Sequence, residues 1–149
     1  MKLAFVFPGQ GSQAVGMLGS FGHDAGVAAT LREASAALGE DLARLIAEGP
    51  AAELDKTVNT QPCMLTASIA IYRAWRAAGG PEPEVLAGHS LGEYAALVAA
   101  GALTLQDGVP LVRYRARVMQ EAVPLGTSGT PSCRVSAPAA TSAAYSPRL

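Results

Sequence analysis

An α/β fold with parallel strands is the architecture this sequence predicts, and three observations predict it. Two short apolar runs, residues 3–7 and 85–87, each end in a glycine-rich turn. Segments of helical period lie between and after them, and strands alternating with helices make parallel sheets. The second run is followed at once by Gly88-His89-Ser90-Leu91-Gly92 and then by another helical stretch, a strand-turn-helix signature. At 149 residues, 50% of them hydrophobic, the chain is long enough for one domain with a sizeable core.

Each element has its own warrant. Leu3 to Phe7 is a continuous apolar run stopped by Pro8-Gly9, which reads as a strand buried on both faces. Gly9, Gly11 and Gly16 follow in a flexible, close-approach loop. Asp24 to Leu38 carries Leu31, Ala34 and Leu38 at helical spacing, with Gly39 as the stop. Asp41 opens a short helix through Leu42, Leu45 and Ile46, ended by Gly49-Pro50. Gln61 to Ala78 is the strongest helix, with Leu65, Ile69, Tyr72 and Arg76 at i+3/i+4 and Gly79-Gly80-Pro81 closing it. Val85-Leu86-Ala87 is the second buried strand. A helix then runs from about Glu93 to Ala100, with Gly101 behind it. Thr104 caps a last helix, and Asp107 adds first-turn charge. Pro110 lies six positions past that cap, where it removes a backbone donor and crowds the preceding turn at about 3 kcal/mol. It predicts a kink or a late helix start.

The balance of charges excludes several functions. Eleven basic residues nearly cancel twelve acidic ones, for a formal net charge of −1, so phosphate neutralisation does not drive binding and no nucleic-acid partner is expected. No apolar run approaches the ~18 residues of a membrane span, and the five-residue start stopped by Pro8 is too short for a signal peptide. Cys63 and Cys133 form neither a disulfide framework nor a spaced metal site. A soluble, cytoplasmic chain with no metal and no membrane partner is the expectation.

The chemistry sits in Gly88-His89-Ser90-Leu91-Gly92. A sharp strand-to-helix turn lifts a serine hydroxyl clear of the sheet, flanking glycines permit the crowding, and the helix N-terminus offers free N–H groups to a developing oxyanion. Serine needs a base. His89 is adjacent to Ser90, where neighbouring side chains on a tight turn diverge, and His23 sits in a polar Gly-His-Asp stretch. Neither reads as that base.

Phe5-Val6-Phe7-Pro8-Gly9-Gln10-Gly11-Ser12-Gln13, Thr60-Gln61-Pro62, Gly88 to Tyr94 and Met119-Gln120-Glu121-Ala122-Val123-Pro124 closely resemble, in order and separation, the malonyl-CoA:acyl carrier protein transacylases of bacterial fatty-acid synthesis. The resemblance covers residues 1–125. It implies the N-terminal part of an α/β-hydrolase-like acyltransferase subdomain with Ser90 on a nucleophile elbow. It further implies that Ser90 is malonylated and that the backbone N–H groups of Gln10 and Leu91 form the oxyanion hole. Arg115 would hold the malonyl carboxylate, consistent with a guanidinium fork binding carboxylate bidentately, and Gln61 would line the acyl pocket. Malonyl-CoA and acyl carrier protein are the implied partners, with no cofactor beyond the coenzyme A thioester that is itself substrate.

The departures are equally specific. Family members are about twice this length, and the resemblance places their catalytic histidine beyond the matched part. Residues 126–149 hold five Ser, three Thr, three Pro and five Ala with no acidic residue. They read as an irregular, disordered tail, or as a frameshifted or truncated gene end. Two other readings stand beside malonyl transfer: a serine esterase or thioesterase using the same turn, and a non-catalytic fragment without its base. Arg115 and the Pro-Gly-Gln-Gly-Ser-Gln block favour transfer, because a generic esterase needs neither.

Overall fold

The computed structural model describes residues 2–122; the tail expected from residue 126 lies outside them. In order, the elements are β1 (Ala4–Phe7), a 3₁₀ turn (Gly19–Phe21), α1 (Ala25–Leu38), α2 (Leu42–Glu48), α3 (Ala51–Leu54), α4 (Thr57–Ala77), β2 (Val85–Gly88), α5 (Gly92–Ala99) and α6 (Leu105–Glu121). The two strands pair in parallel, Ala4 beside Val85 and Phe7 beside Gly88, so the turn after β2 and the loop after β1 leave the same end of the sheet.

Helix ends follow local chemistry. The carboxylates of Asp24 and Asp41 accept from the N–H groups of Val27 and Arg44, both at 2.9 Å, and the Thr104 hydroxyl accepts from Asp107 N–H at 3.0 Å. Each satisfies a donor that the first turn would leave unpaired. Gly39 ends α1 in the left-handed conformation (φ 70°), as a helix-terminating glycine does.

The core is built around α4. Its residues from Gln61 to Ala70 are all buried, so this stretch of the helix is enclosed on all sides, whereas Ile71 and Trp75 beyond it are exposed. Buried hydroxyls are satisfied within the local backbone: Thr60 donates to Leu54 O at 2.6 Å and Thr66 donates to Pro62 O at 2.7 Å. Val109 and Val112 of α6 belong to the same buried core as Leu65 and Ile69. On the sheet side, Phe5 meets the Tyr72 ring edge-on at 5.4 Å and Trp75 at 5.9 Å, which docks β1 on the C-terminal half of α4.

Three expectations need correction. β1 is not buried on both faces: Phe7 is buried, but Val6 is 71% exposed, because α4 packs against Phe5 and Phe7 and no described element covers the opposite face. α6 does not start late. It begins at Leu105 and is helical through Pro110; that proline is exposed, so water reaches the carbonyl it leaves without a helical donor. α4 begins at Thr57 rather than Gln61 and carries Pro62 inside it. The 3₁₀ turn and α3, at three and four residues, are too short to show a period and were invisible to it.

Candidate active site

The turn between β2 and α5 is shaped by what cannot fit. A Cβ on Gly88 would lie 2.0 Å from the Gly92 backbone, and one on Gly92 would lie 2.1 Å from the Phe7 carbonyl oxygen. Only glycine permits the helix to return this closely over the strand. Between them Ser90 has φ 54°, the single non-glycine residue at positive φ among the described residues. A non-glycine residue in the left-handed region costs roughly 1–2 kcal/mol and is retained where surrounding structure enforces it. The strained serine is thus positioned by the fold.

Ser90 does not meet a histidine. Its hydroxyl oxygen accepts from Arg115 Nη2 at 3.0 Å. Arg115 Nη1 donates to Gln61 Oε1 at 2.9 Å, and Gln61, fully buried at 0% exposure, reaches Met119 Sδ with Nε2 at 3.4 Å. Three elements thereby converge, the β2–α5 turn, α4 and α6. Ser90, Arg115 and Gln61, singled out separately by sequence, form one hydrogen-bonded chain.

Arg115 differs from its neighbours in electrostatics. Arg113 pairs with Glu40 and Arg117 lies 3.9 Å from Glu121. Arg115 has no carboxylate partner among the described residues; it is held by two neutral oxygens and lies over the Tyr94 ring, its Cζ 5.7 Å from the centroid. A half-buried guanidinium held only by neutral groups is a ready receptor for an anion.

The loop after β1 comes up against the same turn. A Cβ on Gly9 would lie 3.0 Å from His89 O, and the Gln10 side chain donates to Thr57 Oγ1 at 3.2 Å, one helical turn before Gln61. Leu91 is buried and opens α5. The N–H groups of Gln10 and Leu91 have no acceptor among the described residues, which leaves both available to an incoming oxygen. His89 and His23 are exposed and neither bonds Ser90. Cys63, two residues beyond Gln61, is buried and its thiol is pushed up to about 12 by that burial, partly offset by Arg113. It stays a neutral thiol, inert as a competing nucleophile. Among the described residues no three His, Cys, Asp or Glu side chains converge as metal ligands, and no helix is long and apolar enough to cross a membrane.

Sequence reasoning missed three members of this cluster: Tyr94, Thr57 and Met119. Each stands four residues from a residue that was found (Ser90, Gln61 and Arg115); for Thr57 in α4 and Met119 in α6 that spacing places two side chains on one helix face, while Tyr94 follows Ser90 across the turn into α5. That offset was the usable signal.

Comparison with known proteins gives a consistent picture. A family model described as acyl transferase domain matches residues 4–142. The chain is 56% identical over 129 residues to the malonyl CoA-acyl carrier protein transacylase of Salmonella typhimurium strain LT2, a match covering 86% of this chain and 42% of that protein. It superposes with a TM-score of 0.81 and 65% identity on an acyl-carrier-protein S-malonyltransferase from Burkholderia pseudomallei, covering 83% of this chain and 40% of the other. A third similar structure is a type II PKS acyl-carrier protein in complex with its malonyl-transacylase, matched at 50% identity and a TM-score of 0.80 over 83% of this chain and 40% of that one. The chain therefore spans about two fifths of the length of the relatives it matches.

Proposed function

The chain belongs to the acyl transferase domain family, and on that premise we propose that it carries the nucleophile and acyl-recognition half of a malonyl transferase site. The reaction moves malonyl from coenzyme A to the phosphopantetheine thiol of acyl carrier protein through an ester on Ser90. The contact that carries this reading is Arg115 to Ser90 at 3.0 Å: a guanidinium without a carboxylate partner, anchored on a buried glutamine, beside a strained serine.

The β2–α5 turn is a nucleophile elbow of the α/β-hydrolase-like kind. Ser90 Oγ attacks the thioester carbonyl and gives up its proton, and the carbonyl oxygen becomes an oxyanion received by the N–H groups of Gln10 and Leu91. Collapse expels the coenzyme A thiolate, which takes a proton, and leaves malonyl on Ser90. Attack by the carrier's thiol reverses these steps and frees the serine. Arg115 exchanges Ser90 for the malonyl carboxylate, which sorts malonyl from acetyl, while Gln61 holds the other arm of the fork. No described imidazole or carboxylate bonds Ser90, so the general base comes from outside the described residues, and turnover by this chain alone stays far below about 1 s⁻¹, the foot of the ordinary range. A cytoplasmic setting accords with the free Cys63 thiol.

The test is mass spectrometry of the chain after incubation with malonyl-CoA. One malonyl adduct is expected, on Ser90, absent in Ser90→Ala; an adduct mapped to another residue overturns the assignment. Arg115→Ala should slow malonylation by about 30- to 1,000-fold and acetylation little, since charge-assisted bonds contribute ~1.5–3 kcal/mol each. Equal slowing of both acyl groups would make Arg115 structural only.

A further inference from the structure

We propose that Tyr94 is the positioning residue that keeps the Arg115 guanidinium aimed at an acyl carboxylate, a role that rests on the reading of Arg115 given above. Tyr94 lies in the first turn of α5, four residues after Ser90, and the Arg115 Cζ stands 5.7 Å from its ring centroid, inside the ~6 Å range over which an aromatic face attracts a cation. Gln61 Oε1 and Ser90 Oγ take one N–H each from the two terminal nitrogens. Guanidinium N–H bonds lie in the plane of the group, so these two contacts grip its edge and leave its faces to other contacts, of which the Tyr94 ring is the aromatic one among the described residues.

The Ser90 contact is the one that chemistry removes. Acylation turns Oγ into an ester oxygen, a weak acceptor, and the incoming carboxylate takes over the Nη2 donor. Between release of Oγ and seating of the carboxylate, Gln61 holds the fork at one nitrogen only, about which it is free to swing. The Tyr94 face is what keeps it in register through that exchange. The ring carries the role, because the Tyr94 hydroxyl makes no hydrogen bond among the described residues. A built-in control exists on α6: Arg117 stacks on Tyr114 at 5.4 Å with the same chemistry but on an exposed surface.

The experiment compares Tyr94→Leu, Tyr94→Phe and Tyr114→Leu in the 149-residue chain by two readouts. The first is the nitrogen NMR signature of Arg115, whose terminal nitrogens give separate resonances when guanidinium rotation is hindered. The second is the rate of Ser90 adduct formation from malonyl-CoA relative to acetyl-CoA. Tyr94→Leu should merge the Arg115 resonances and lower the malonyl preference about 5- to 30-fold. Tyr94→Phe should keep the separate resonances and stay within about twofold of the parent, and Tyr114→Leu should change neither. If Tyr94→Leu does not fold, Tyr94→Met, which restores volume without a π face, decides the matter. Unchanged resonances and preference in a folded Leu or Met variant overturn the proposal. Where Arg115→Ala shifts the malonyl preference and these variants do not, Tyr94 alone is refuted. Where Arg115→Ala also leaves it unchanged, the carboxylate reading itself has failed.

Discussion

Two connections leave the same end of the parallel sheet, and they are built in opposite ways. The one after β2 uses only His89, Ser90 and Leu91 before α5 begins, and backbone crowding at Gly88 and Gly92 dictates its path. The one after β1 runs from Pro8 to Asp24 with a single 3₁₀ turn in it, and long-range side-chain bonds hold its first part. Gln10 donates to Thr57 at 3.2 Å and Gln13 donates to Asp55 at 2.9 Å. The reacting oxygen therefore sits on sterically enforced geometry, while the loop facing it is held by contacts to residues over forty positions away. If that contrast is right, substitutions in the turn act on global stability and those in the loop act locally.

The sharpest way to break it is Gly92→Ala. A methyl 2.1 Å from the Phe7 carbonyl meets backbone that cannot yield, so a loss of about 3 kcal/mol or more is expected in urea unfolding. A variant within ~0.5 kcal/mol of the parent would show that the turn relaxes freely and that crowding does not set it. Ser90→Gly follows with the opposite sign. Glycine accepts φ 54° without the Cβ penalty, so the variant should gain about 1 kcal/mol while losing the acyl adduct entirely. Ser90→Ala keeps the strain and should not share the gain; equal melting temperatures for all three chains would mean Ser90 is unstrained.

This division also explains what the sequence made legible. The turn could be read because everything that shapes it is contiguous: Gly88, Ser90 and Gly92 within five residues, a strand before and a helix after. The helix starts at Asp24 and Asp41 and the cap at Thr104 were readable for the same reason, since each side chain acts within three residues. The burial of β1 was misjudged because an apolar run does not reveal whether a second layer covers its far face, and Val6 stands open. Pro110 was misjudged because the penalty assigned to it assumes a regular interior, whereas its exposed position leaves the freed carbonyl to water. Within the site, Arg115 was found through resemblance, since three arginines at alternate positions on one helix look equivalent locally. What sets Arg115 apart, Gln61 at 2.9 Å and no carboxylate, depends on how α4 meets α6, which no local pattern encodes.

Thr57→Val tests the loop at its anchor. Valine keeps the shape of a nearly buried threonine and removes only the acceptor of the Gln10 amide, a bond contributing about 1 kcal/mol. Stability should fall by no more than that, and Ser90 malonylation should slow several-fold because the Gln10 N–H is less well placed. A stability loss without any change in malonylation would detach this loop from the oxyanion site.

Gln13→Ala carries the smallest expected effect and the most local one. Its side chain works at both ends, accepting from Gly11 N–H at 2.8 Å and donating to Asp55 at 2.9 Å, and both bonds are exposed. Water replaces them at little cost, so unfolding free energy should move by less than ~0.5 kcal/mol. Gly11 itself sits at φ 107°, a conformation that glycine holds only loosely, and this bond is what pins it. Removing it should leave amide exchange in α4 untouched while that of Gly11 speeds up markedly, because local opening needs no global unfolding. Slowed or unchanged exchange at Gly11 would mean the backbone alone holds the loop, and the two connections would then be built on the same principle after all.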